Sequence, residues 1–69
     1  MKVRKTLELR FPDPFSLTLF LWDNGPAVWD YERETAETVL RVKVQRRTER
    51  AEIRRISRPY GAIATTIVG

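Results

Sequence analysis

The sequence predicts a mainly β domain: a small five-stranded antiparallel barrel or strongly bent sheet, SH3-like or OB-like, with one short helix near residues 49–57. Three observations predict it. Apolar and polar residues alternate with period two in several segments, an Asn-Gly pair separates two of them, and the last ten residues are uncharged and rich in β-branched side chains. An α+β sheet with the helix on one face is the alternative. Residues 1–69 make one domain, with no repeat and no linker long enough to divide it.

From Val3 to Phe11 the odd positions are Val3, Lys5, Leu7, Leu9 and Phe11, and the even ones Arg4, Thr6, Glu8 and Arg10. This is the pattern of a half-buried strand with one exception, Lys5. Pro12-Asp13-Pro14 removes two backbone donors and marks a corner. Phe15 to Trp22 then reads as a second strand, with Phe15, Leu17, Leu19 and Leu21 on one face and Ser16, Thr18, Phe20 and Trp22 on the other. Asp23-Asn24-Gly25-Pro26 reads as a hairpin turn, since Asn-Gly accepts positive φ at little steric cost. A third strand follows over Ala27–Glu32, and the acidic stretch Glu32–Glu37 reads as a turn, with one helical turn as the alternative.

Thr38 to Gln45 alternates again, with Thr38, Leu40, Val42 and Val44 inward and Val39, Arg41, Lys43 and Gln45 outward. The isoleucines at 53 and 56 cannot share one face of a regular strand. A helix over about 49–57 fits them, with Thr48 as N-cap and Pro59 as terminator, although a bulged strand would also shift the phase. Tyr60 to Gly69 reads as a strand that is neutral on both faces, and so either central or covered by another chain.

Composition narrows the chemistry. The chain has no Cys and no His, which removes disulfides, thiolate nucleophiles and the commonest general base, so no catalytic residue, metal site or cofactor is expected. Asp13, Asp23, Asp30 and Glu32 match no calcium-loop spacing, and the three glycines form no phosphate loop. With one Asn, one Gln and abundant Arg and Glu, the composition suits a thermophile. No run approaches the ~20 apolar residues of a membrane span, and the basic start leads into a strand pattern unlike a signal peptide, so a cytoplasmic protein with no membrane contact is expected.

The strongest functional signal is the stretch 41–58. It holds Arg41, Lys43, Arg46, Arg47, Arg50, Arg54, Arg55 and Arg58 against Glu49 and Glu52, a local charge of +6 where the whole chain carries +4. Arginine grips phosphate bidentately and stacks on bases, so these eight residues are the candidate contacts of a small, largely non-sequence-specific DNA- or RNA-binding protein. A solvated surface tied to nearby acids is the competing interpretation. Phe20, Trp22, Trp29 and Tyr60 are candidates for base stacking or for an interface, with core packing as the alternative and Phe20 and Trp22 expected to be the exposed pair. The second function class is a protein-interaction or regulatory module, an accessory subunit or a viral or mobile-element regulator. It would form a homo-oligomer through the uncharged strand at 60–69.

Overall fold

A computed structural model describes residues 5–68. Met1 to Arg4, which include the expected strand start at Val3 and Arg4, and the terminal Gly69 lie outside the described residues. The elements run β1 (Lys5–Arg10), α1 (Pro14–Asn24), α2 (Pro26–Trp29), β2 (Arg33–Ala36), β3 (Val39–Lys43), α3 (Arg47–Ser57), a 3-10 turn (Arg58–Tyr60) and β4 (Ile63–Val68). The four strands form one open antiparallel sheet in the order β2-β3-β1-β4. Each outer strand is thus separated from its helix-linked predecessor by one strand inserted between them, the split βαβ arrangement of ferredoxin-like folds.

The barrel and the mainly β composition are therefore corrected: the sheet is open, four-stranded and packed against helices. The difference lies in residues 15–32. Phe15–Trp22 is so continuously apolar that period two and period 3.6 both fit it, and the local caps decide. The Asp13 carboxylate accepts the Ser16 amide at 2.7 Å, and Pro14 stands at a first helical position where its missing N–H costs nothing. The resulting helix buries Leu17 and Phe20, with Leu21 and Asn24 partly covered on the same stripe. Ala27–Glu32 is not a strand either. Pro26 opens the short helix α2, and residues 33–36 of the expected turn form β2.

Nor does Asn24-Gly25 make a hairpin. Gly25 has φ −50°, an ordinary helical value. Glycine is needed there for space: a Cβ would lie 2.5 Å from the Leu21 carbonyl oxygen and 2.7 Å from the Trp29 ring. Positive φ falls instead at Glu37, in the β2–β3 turn, and at Gly61, where the chain leaves the 3-10 turn. Gly25→Ala is expected to destabilise the fold by about 1–3 kcal/mol, because the backbone oxygen cannot move aside without distorting the end of α1. Chemical denaturation of the variant beside the wild type measures it.

One face of the sheet carries the core. Leu7, Leu9 and Phe11 from β1 and its exit, with Leu40, Val42 and Val44 from β3 and its exit, meet Leu17, Phe20, Val28 and Ile53 from the three helices. Phe20 is fully buried, with its ring 5.4 Å from Phe11 and 5.6 Å from Tyr60. It is thus not one of an exposed pair. The opposite sheet face is polar. At its centre the nearly buried Glu8 accepts hydrogen bonds from Arg10 (2.7 Å) and Arg41 (3.0 Å), and these hold its carboxyl below the ordinary glutamate range, Arg10 most strongly. The C-terminal strand is not central: β4 is an edge.

Candidate nucleic-acid interface

The fold divides the basic stretch into groups with different surroundings. Arg41 and Lys43 point from β3 onto the open sheet face, where Arg41 pairs with Glu8 and with Glu34 (3.5 Å) and Lys43 pairs with Glu32 (3.3 Å). Their charge is locally balanced.

The rest sits on or beside α3, which begins at Arg47 after the extended Arg46, two residues before the expected start and without a Thr48 side-chain cap. Its inward stripe is Arg50, Ile53 and Ser57, at i, i+3 and i+7. Ile53 joins the core. Arg50 is buried in a structural role, since its Nη1 donates to the carbonyls of Val44 (3.0 Å) and Gln45 (2.8 Å) and so satisfies the chain as it leaves β3. Three other cations lie outward. Arg46 stands 3.9 Å from Glu49, Arg55 donates to Glu52 (3.1 Å from Nε), and Arg58 is exposed on the 3-10 turn. The Arg55 guanidinium holds the Glu52 carboxyl below its ordinary range.

Arg47, Arg50 and Arg54 share the remaining flank, at i, i+3 and i+7. Together with Lys5, Ala51 and Thr66 they line a groove of about 520 Å³ between α3 and the β1/β4 side of the sheet. Four cations line this groove and no carboxylate is among its lining residues. Arg54 donates through Nη2 to the Thr66 hydroxyl, which spans the groove and sets the position of its guanidinium.

Lys5 and Thr66 are not among the site residues that the sequence singles out. Lys5 does leave a signal, as the one charged residue on the otherwise apolar face of the first strand. That face turns toward the helices, and Lys5 meets α3 at its end. Thr66 leaves none, since only the antiparallel register that sets Leu7 opposite Thr66 brings it there.

The aromatic candidates also separate. Tyr60 is a clasp: its hydroxyl donates to Asp23 (2.7 Å) and accepts from Asn24 (3.2 Å), and its ring meets Phe20 edge-on. The Asp23 bond pushes the phenol up from its ordinary pKa. Tyr31 ties to Glu49 in the same way, joining the end of α2 to α3. Trp22 and Trp29 stay outside, 84% and 57% exposed, around a hollow of about 480 Å³ lined with Thr18 and Leu21. They share no lining residue with the arginine groove.

The isolated carboxylates have local roles as well, with Asp13 capping α1, Asp23 holding Tyr60 and Glu32 pairing with Lys43. No helix among the described residues is long and apolar enough to cross a membrane. No family model, no curated protein and no solved structure matches the chain.

Proposed function

We propose that the protein is a non-catalytic nucleic-acid binder that takes phosphate groups of DNA or RNA into the groove formed by Lys5, Arg47, Arg50 and Arg54. The observation that carries this reading is the convergence of four cations from two distant segments with no acid among the lining residues, where most of the other basic side chains among the described residues have carboxylate partners. Such a local field concentrates polyanions, and Arg forks bind phosphate oxygens in pairs. Arg50 supplies charge while its Nη1 stays on the backbone. Arg47, Arg54 and Lys5 are the residues that reach a ligand. Contacts of this kind follow the phosphate backbone and carry little sequence information.

A fluorescence anisotropy titration with labelled single- and double-stranded oligonucleotides, comparing wild type with Arg47→Glu/Arg54→Glu, tests the proposal. Binding by the wild type and its loss in the variant are expected. Equal binding by both would reject the groove.

The second reading, self-association through the strand at 60–69, is favoured by the contrast between the two sheet edges. β2 is four residues long and carries Arg33 and Glu34, features that blunt strand pairing. β4 is six residues, uncharged, and exposes Ile63 and Ile67.

A further inference from the structure

Among the described residues, four of the six exposed large hydrophobic side chains lie off the sheet, on α1 and α2. Phe15, Leu19 and Trp22 stand exposed on the outer face of α1, at 69%, 37% and 84%, and Trp29 of α2 flanks them. With Thr18 they form a stripe at positions 15, 18, 19 and 22, the spacing of a helix face that packs on another helix. The inner stripe of α1 already serves the core through Leu17 and Phe20, so this second stripe has no partner among the described residues.

We infer that this face joins a second copy of the chain, α1 against α1 antiparallel about a twofold axis. The stripe is symmetric about its own midpoint, between Thr18 and Leu19. An antiparallel pairing centred there sets Phe15 against Trp22 of the second copy, Thr18 against its Leu19, and the reverse. That reciprocity is what an isologous contact requires. Bulky rings stand at both ends and smaller residues at the centre, where two helices crossing must come closest.

Burial is inexpensive here. α1 has no charged residue from Pro14 to Trp22, and the one hydroxyl on the stripe, Thr18, already donates to the Pro14 carbonyl at 2.9 Å, so it needs no water.

The area suits a reversible dimer. An aromatic ring offers about 150–250 Å². At the exposures of Phe15, Trp22 and Trp29 this gives roughly 300–500 Å² per copy. With Leu19 and Thr18 added, the pair reaches about the 1,000 Å² at which specific association begins.

A membrane surface or a nucleic acid fits poorly. Both require basic residues around the apolar face, whereas α1 has none and the residues at its ends and after α2 are Asp13, Asp23 and Asp30. Arg33, beyond α2, is held by the Trp29 carbonyl at 2.9 Å. The β4 edge is less selective, because strand pairing accepts many strands, while the α1 stripe complements itself.

Sedimentation velocity from micromolar to millimolar protein, with tryptophan emission recorded on the same samples, tests the dimer. Both tryptophans of the chain lie in the proposed contact, so emission reports on it directly. The expected result is a concentration-dependent dimer with emission shifting to shorter wavelength. Trp22→Glu and Phe15→Glu should each weaken it by about thirtyfold or more while far-UV circular dichroism stays unchanged, and Ile67→Lys should leave it intact. Added salt should leave the dimer intact or tighten it, because the charges flanking the stripe are mostly acidic, whereas salt must weaken phosphate binding, so the two claims fail independently. A protein that stays monomeric with unshifted emission would overturn the inference, the face then serving a different protein or none. So would a dimer that survives Trp22→Glu, or one abolished by Ile67→Lys alone, which would move the contact to β4.

Discussion

Arg47→Glu combined with Arg54→Glu is expected to weaken oligonucleotide binding by about a hundredfold at low salt, since it replaces two phosphate contacts with two repulsive charges. Net charge alone falls by four in this variant. The control must therefore change charge equally elsewhere, and Arg55→Glu with Arg58→Glu does so from the outer side of α3 and the 3-10 turn that follows it. A loss of only a few-fold is expected there, from the general field. Folding is a minor concern in the groove variant, because Arg47 and Arg54 are both exposed and only the Arg54–Thr66 hydrogen bond is removed. Thermal melting of each variant checks this. Equal losses in groove variant and control would mean that the molecule attracts polyanions diffusely and that the groove has no special part.

Phe20→Ala is expected to remove a large share of the protein's stability. The ring is fully buried between Phe11 and Tyr60 and joins the helix layer to the sheet. Truncating a buried Phe costs about 3–5 kcal/mol. A chain of 69 residues has a total stability of roughly 3–10 kcal/mol. The same loss would detach Tyr60 and with it the clasp on Asp23 and Asn24, so the end of α1 should loosen too. Urea denaturation followed by circular dichroism measures the loss. A cost below about 1 kcal/mol would show that Phe20 is not central to the core.

Much of the sheet is legible in the sequence because alternation is informative where polar residues punctuate it. β1 and β3 lie within the segments where charged and apolar residues take turns, and the isoleucines at 53 and 56 mark α3 by breaking that alternation. Residues 15–22 are not legible by period, since the run has too few polar residues to tell one side from the other. Asp13-Pro14 is the informative signal there, an N-cap followed by proline at a first helical position, but the same pair also fits a strand break. Asn24-Gly25 misleads for a related reason. Its glycine serves close packing of Leu21 and Trp29, which composition cannot distinguish from a need for positive φ. Two helical segments taken for strands are enough to turn an open sheet into a barrel.

The candidate site is legible in composition and illegible in geometry. Density of arginine marks 41–58, but pairing is a property of the fold: Glu8 reaches Arg41 only through the β1–β3 register. Helical phase separates Arg47, Arg50 and Arg54 from Arg46 and Arg55, and that separation follows once α3 is placed. Lys5 requires the tertiary fold.

The most direct test of the central claim is the salt dependence of oligonucleotide affinity for the wild-type protein. Three ligand-reaching cations, Lys5, Arg47 and Arg54, predict a log-log slope of about −2 to −3, near −2 for a single strand and nearer −3 for a duplex. A flat slope, or no binding at low salt, would contradict the account and return the groove to being ordinary surface.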